Sequence, residues 1–249
     1  MSDKILELKN ATKYYGDKKV LNDINIELSS GKILGLIGPS GSGKTTTIKC
    51  LMGMESLNEG YAKIFDTNMP NRKLLNDIGY MGQSDALYES LSARENLVFF
   101  GNLMGLKGKE LKQAITDNMK LVNLENELDK TVSNFSGGMK RRLSLAITLL
   151  SNPNLIILDE PTVGIDPSLR KEIWKQLREL TNKDKSVIVT THVMDEAERC
   201  DYVGLIVNGK LFTIGTPQEL KEKFKVDSIE EVFIKAELEV KSWDLKQYL

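Results

Sequence analysis

Two glycine-bearing segments of this chain have the residue types and spacing to grip an anion. The first is Gly38-Pro39-Ser40-Gly41-Ser42-Gly43-Lys44-Thr45, followed by Thr46, a full G-x-x-x-x-G-K-[ST] pattern. Glycines in such a loop let successive backbone N–H groups curl around the phosphates of a nucleotide. Lys44 would reach the β/γ-phosphates and the Thr45 hydroxyl would sit on Mg²⁺. The second segment is Ser136-Gly137-Gly138, which opens the apolar-faced stretch Met139–Ser151. Two glycines there give up roughly 1 kcal/mol each of helix propensity against alanine. In exchange they bare backbone donors at the positive end of the helix dipole, a ready anion site. The plainer alternative is a serine cap followed by flexible glycines. Lys140, Arg141 and Arg142 follow directly, and cations in a first turn oppose the dipole. That placement predicts a negative group to offset them.

The remaining chemistry lies further along. Leu155-Ile156-Ile157-Leu158 is an apolar strand ending in Asp159-Glu160. Where a strand ends and the chain turns, adjacent carboxylates can face one site. One carboxylate holding Mg²⁺ and a second oriented at water would serve ATP hydrolysis. His192 is the only histidine. It follows Val187–Val189 and Thr190-Thr191, at the sheet edge where parallel α/β folds bind ligands. There it could contact a γ-phosphate and orient the attacking water. Cys50 and Cys200 are isolated, without metal or redox spacing, and read as reduced thiols in or near the core.

The elements that must position these residues follow from hydrophobic periodicity. Strand signals occur at Ile5–Leu8, Val20–Leu28, Ile33–Ile37, Tyr61–Phe65 and Ile78–Met81, with a turn at Tyr15-Gly16-Asp17. The helical run Thr45–Met54 leaves the phosphate loop. From about Ala86 to Leu150 the texture becomes helical, with segments at Asn96–Met104, Lys109–Val122 and Met139–Leu150. Thereafter strand and helix alternate: Leu155–Leu158, Pro167–Thr181, Ser186–Thr190, Met194–Cys200 and a hairpin over Tyr202–Ile214 turning at Asn208-Gly209. Such alternation implies a mostly parallel sheet covered on both faces. Beyond Lys225 the chain is highly charged, but Ile229, Val232, Phe233 and Ala236 could share one helical face.

Composition limits the function. At 249 residues the chain can hold one large core or a core plus a subdomain. A net charge of -1 argues against a broad nucleic-acid-binding face. No apolar run approaches the roughly 18 residues needed to cross a bilayer, so a membrane role needs a separate partner. The start Met-Ser-Asp-Lys lacks the apolar core of a secretory signal. The expected location is therefore cytoplasmic.

Taken in order, Gly38–Thr45, Gln83, Ser136-Gly137-Gly138, Leu158-Asp159-Glu160, Gly164-Ile165-Asp166 and His192 resemble the ATP-binding subunit of an ABC transporter. They match that family's Walker A, Q-loop, signature, Walker B, D-loop and H-loop over about residues 4–220. The resemblance implies an α/β P-loop NTPase (RecA-like) fold with a mostly parallel sheet, an N-terminal antiparallel β region and an inserted helical subdomain. The implied division is an ATPase domain over 1–224 and a short C-terminal extension over 225–249. Within the domain, 1–85 and 153–224 would form the core and 86–152 the helical subdomain.

It further implies that Tyr15 stacks on adenine, with Tyr14 as a possible substitute, and that Gln83 joins Asp159 and Thr45 around Mg²⁺. Glu160 would be the general base, and Asp166 would lie across a dimer interface. Two such subunits would form a head-to-tail pair, a homodimer by preference, gluing ATP between each phosphate loop and the other's Ser-Gly-Gly segment. Closure and opening would be transmitted to an integral-membrane permease through the region of Gln83 and Asp85–Ser92. The protein would then sit peripherally on the cytoplasmic face of the plasma membrane.

One departure sharpens the reading. The usual signature is Leu-Ser-Gly-Gly-Gln, whereas this chain has Phe135-Ser136-Gly137-Gly138-Met139. Met139 cannot complete the capping box that a glutamine would. It extends the apolar face of Leu143, Ala146, Ile147 and Leu150 instead. Ser-Gly-Gly-Met-Lys-Arg-Arg, like the tail Ser228–Phe233, resembles the ABC-2 type drug- and polysaccharide-exporting branch. The competing readings are an importer ATPase, a soluble cofactor-assembly ATPase without a permease, and a nucleotide-binding regulator that does not hydrolyse.

Overall fold

The computed structural model describes residues 4–246, and side chains through residue 240. The opening Met-Ser-Asp and the last three residues of the 225–249 extension lie outside the described residues. In chain order the elements begin with β1 (Lys4–Tyr15), β2 (Lys18–Ser29), β3 (Ile33–Ile37), α1 (Lys44–Leu51), β4 (Glu59–Ile64), β5 (Thr67–Asn68) and β6 (Ile78–Met81). They continue with α2 (Ala93–Leu103), α3 (Gly108–Leu121), α4 (Gly137–Thr148), β7 (Leu155–Asp159), α5 (Pro167–Thr181), β8 (Ser186–Thr191) and α6 (Met194–Ala197). The chain closes with β9 (Tyr202–Val207), β10 (Lys210–Gly215), α7 (Pro217–Phe224) and α8 (Ile229–Lys246). No described helix is long and apolar enough to cross a membrane.

These elements form two compact units, one from the chain through Asn71 together with Ile188 onward, the other Arg72–Val187. The first unit contains an antiparallel sheet in the order β2-β1-β4-β5. Along β2 the apolar residues Ile24, Ile26 and Leu28 recur at period two and are buried, while Glu27 faces out. In the same unit β3 pairs in parallel with β9, and β9 turns back antiparallel onto β10. The turn residues Asn208 and Gly209 both have positive φ, at 47° and 73°. A type I′ hairpin requires that pair of dihedrals. The C-terminal α8 buries Ile229, Val232 and Ala236 and half-buries Phe233, the face read from the sequence.

In the second unit β6 runs parallel to β7, Ile78 opposite Leu155 through Met81 opposite Leu158. Every residue of β7 is buried, as a strand covered on both faces must be. Helices α2, α3 and α4 pack together, and Leu97, Met119, Leu143 and Ala146 on them are buried. This compact unit takes in β6, β7 and α5 along with the helical stretch 86–152.

Capping chemistry explains where element ends differ from the periodicity. Helix α2 starts at Ala93, before Asn96, because Ser92 and Glu95 form a capping box: Glu95 N–H donates to Ser92 Oγ (3.2 Å), and Ser92 N–H to Glu95 Oε2 (2.7 Å). Helix α1 stops at Leu51, three residues short of Met54, where Gly53 turns the chain at φ 70°. Helix α7 lies outside the segments that hydrophobic periodicity marks as helical. Its signal was local: Thr216 caps Glu219 N–H, Glu219 returns the bond, and Pro217 occupies the first turn.

Candidate active site

The Gly38–Thr45 segment folds into a closed loop at a helix start. Between β3 and α1 the loop Gly38–Gly43 is closed by Ser42 N–H donating to Pro39 O (3.2 Å). The β9–β10 turn braces it, since Gly209 N–H donates to Ser42 O (2.9 Å) and Asn22 N–H to Gly209 O (2.8 Å). Two glycines are obligatory. A Cβ at Gly38 would stand 2.1 Å from Ile206 O, and Gly43, at φ 110°, would bring one within 2.9 Å of Leu21 Cδ2. Gly43 caps α1 without any side-chain bond, and the first turn holds no acidic residue. The helix start therefore keeps its positive end for an external anion.

Other groups of the first unit point the same way. Lys44 is buried and donates from Nζ to the carbonyls of Gly38 (2.8 Å) and Pro39 (3.0 Å). Ser42 Oγ is buried without a hydrogen-bond partner. An orphaned hydroxyl, a buried ammonium and an uncapped helix start fit a polyphosphate. Thr45 and Thr46 are half-buried in the first turn of α1, and Ser40 and Gly41 are exposed.

Tyr15 ends β1 with 44% of its surface exposed, whereas Tyr14 is half-buried beside Lys19. Lys13 Nζ lies 5.0 Å from the Tyr15 ring centroid and pairs with Glu55 at 3.1 Å. Desolvation, reinforced by the Glu55 carboxylate, raises the Tyr15 hydroxyl above its ordinary pKa. His192 is exposed in the bend after β8. That bend is knitted by Thr191 Oγ1, which donates to the buried Glu196 carboxylate (2.6 Å) and accepts from Val193 N–H (3.0 Å).

In the second unit a cleft of about 700 Å³ is lined by Gln83, Ser136, Gly137, Gly138, Glu160 and Asp166, among others. Six residues from four sequence segments thus share one cavity. Ser136 caps α4, accepting from Met139 N–H at 3.3 Å, and leaves Gly137 open on its Cβ side. Gly138 is held close to the segment before α5, where a Cβ would meet Gly164 O at 3.0 Å. Asp159 is wholly buried at the end of β7. Glu160 is half-buried with φ +54°, a conformation uncommon for a non-glycine residue. Asp166 is exposed and accepts from Leu169 N–H at 3.0 Å as the cap of α5.

The expected negative groups beside the cations after Gly138 are Glu89 for Lys140 and Asp85 for Arg141, both within the same unit. Lys140 pairs with Glu89 at 2.6 Å. Arg142 donates to the carbonyls of Val122 (3.0 Å) and Asn123 (2.9 Å) at the end of α3, and burial lowers its pKa. Arg141 is buried and bonded to groups of its own unit. The offsetting oxygens are internal. Arg141 shares a buried side of α4 with Leu145 and Thr148, distinct from the apolar face read from the sequence.

Comparison with known proteins identifies the family. Residues 21–163 match the family model described as ABC transporter. The chain is 41% identical over 233 residues to the Nod factor export ATP-binding protein I of Sinorhizobium fredii, covering 92% of this chain and 68% of that protein. It is 36% identical over 247 residues to YbhF of Escherichia coli, a probable multidrug ABC transporter ATP-binding protein, covering 96% of this chain but only 42% of that one. The fold matches the dimeric post-hydrolysis structure of the ATP-binding cassette MJ0796 bound to ADP and Pi. That match has a TM-score of 0.78 and 25% identity, over 85% of this chain and 98% of the other. The chain belongs to the ABC transporter family, as one of its ATP-hydrolysing subunits.

Proposed function

We propose that this subunit powers an exporter, working as a nucleotide-sandwich dimer on a separate membrane permease. The observation that carries the dimer is the cleft of the second unit. It presents Ser136, Gly137 and Gly138 at an exposed helix start beside Glu160 and Asp166. A helix start open to solvent, with its own cations already paired internally, has donors available for the phosphates of a nucleotide held by another copy. A homodimer is the simplest such pair. Export is supported by the likeness to the Nod factor export protein and by the Ser-Gly-Gly-Met-Lys-Arg-Arg sequence.

In this reading Gly38–Thr46 cradle the phosphates, Lys44 neutralises them, and Tyr15 stacks on the base. Glu160 accepts the proton of the attacking water, and His192 contacts the γ-phosphate. The donors Thr45, Gln83 and Asp159 are all oxygen-bearing, the chemistry Mg²⁺ selects, and few protein ligands suffice where phosphates complete the shell. When bound with the nucleotide, Mg²⁺ supplies charge neutralisation on the phosphate oxygens.

The coupling surface is a small apolar groove of about 240 Å³ bordered by Leu75, Tyr80, Leu87, Phe100 and Met104. Exposed Tyr88 and Phe99 stack edge to face beside it, with centroids 4.9 Å apart. Through a permease docked there, the subunit would lie on the cytoplasmic face of the membrane. The test is Glu160→Gln, which should bind ATP, hydrolyse it negligibly and elute as an ATP-dependent dimer in size-exclusion chromatography with light scattering. A variant that stays monomeric at saturating ATP refutes the sandwich.

A further inference from the structure

We propose that Arg141 is a positioning residue, which locks the Gln83 segment to the turn carrying Glu160 so that the carboxylate is aimed for hydrolysis. The inference rests on the reading of Glu160 as general base and adds the group that holds it. Arg141 projects from the second turn of α4 and is 5% exposed. Its Nη1 donates to the carbonyl oxygens of Gly82 (2.7 Å) and Gln83 (3.1 Å) and to Asp85 Oδ1 (3.2 Å). Its Nη2 donates to the carbonyl oxygens of Asp159 and Glu160, the latter at 2.7 Å. One guanidinium thus joins three sequence segments: the start of α4, the loop after β6 and the end of β7.

The physical consequence follows from the shape of the group. A guanidinium is planar and presents its donors in a fixed fork, so it sets the spacing of the atoms it bridges. Glu160 sits at φ +54°, and a non-glycine residue persists there only when its surroundings over-determine the backbone. Arg141 grips the carbonyls on both residues of that turn, Asp159 and Glu160. The grip is itself anchored, because Asp85 Oδ1 also accepts from Ser144 Oγ (2.9 Å), one turn further along α4. The helix whose start is Ser136-Gly137-Gly138 is therefore rigidly coupled to the backbone of Gln83 and of Glu160. A displacement of either loop must be felt at the carboxylate.

The test uses the full chain carrying Arg141→Lys, Arg141→Gln and Asp85→Ala. Arg141→Gln should lower kcat for ATP about tenfold or more while KM stays within twofold, since the nucleotide is held chiefly by Gly38–Thr45. Arg141→Lys should fall between, because an ammonium has three donors for these five acceptors. Asp85→Ala, which leaves the carbonyl contacts intact, should lose severalfold. Combined with Glu160→Gln, Arg141→Lys should remove nothing further from the residual rate, since it acts through that carboxylate. A merely structural role would give additive losses.

A readout independent of turnover is amide hydrogen exchange without nucleotide. Amides of 159–164 and 83–86 should exchange faster in Arg141→Lys and Asp85→Ala than in the parent. Unchanged kcat together with unchanged exchange, or additive loss in the Glu160→Gln background, overturns the proposal. Where Arg141→Gln does not fold, the other two variants carry the same comparisons. A Glu160→Gln chain hydrolysing at the parent rate would instead refute the assignment of the base, a distinguishable result.

Discussion

Substituting Ser136 by aspartate separates two tasks that one oxygen performs. Ser136 Oγ accepts from Met139 N–H at 3.3 Å as the cap of α4, and it faces the open cleft where the phosphate contact is proposed. Aspartate caps about as well as serine, and its charge adds roughly 0.3–1 kcal/mol at a helix start. Alanine removes the cap and costs about 1 kcal/mol, or roughly 2–4 °C in Tm for a chain of this size. Toward a phosphate the order reverses. A carboxylate about 4 Å from one phosphate charge is repelled by about 4 kcal/mol at an effective dielectric of 20, near a thousandfold in rate. Alanine forfeits only one hydrogen bond to a charged group, about 1.5–3 kcal/mol. Thermal unfolding should therefore rank Asp at or above Ser, with Ala below. Mg-ATP hydrolysis should rank Ser above Ala, and Ala above Asp. An Asp variant that is stably folded and hydrolyses ATP within threefold of the parent would refute the claim that this helix start meets a nucleotide phosphate.

Two further outcomes probe the first unit. Burial pushes the Cys50 thiol from 9.0 to about 11, so at pH 8 its thiolate is roughly a hundredfold scarcer than in the unfolded chain. Iodoacetamide should label Cys50 at least that much more slowly in the native protein, and equal rates would contradict its burial. The sign for stability follows: between about pH 9 and 11 the unfolded thiol ionises while the folded one does not, so this group's contribution falls as pH rises through that window. Ile229→Ala should cost about 2–5 kcal/mol by chemical denaturation, since Ile229 is fully buried at the start of α8. A loss below about 1 kcal/mol would show that the charged extension is not part of the first unit's core.

Much of this molecule was legible where local chemistry decides the outcome. Strands β3 and β6 and helix α5 have the bounds read from the sequence. Uninterrupted apolar runs bounded by turns leave a buried strand little choice, and Asp166-Pro167 caps and starts α5 unaided. The hairpin at Asn208-Gly209 forms because those two residues tolerate positive φ. Ends set by reciprocal side-chain bonds were missed when only periodicity was followed. That is why α2 starts three residues before its apolar periodicity and why α7 lies outside the periodic segments.

The positive charge after Gly138 marks where sequence reading reached its limit. By itself the sequence determined the phosphate loop, the capped Ser136-Gly137-Gly138 helix start and the paired carboxylates at a strand's end. In each of these the chemistry resides in backbone donors and neighbours a few residues apart. Only tertiary structure decided what Arg141 does, because its acceptors lie 18 to 59 residues away in the chain. A run of cations shows a charge that must be compensated. It cannot show that the compensation comes from Glu89, Asp85 and the carbonyl oxygens that tertiary packing brings to α4.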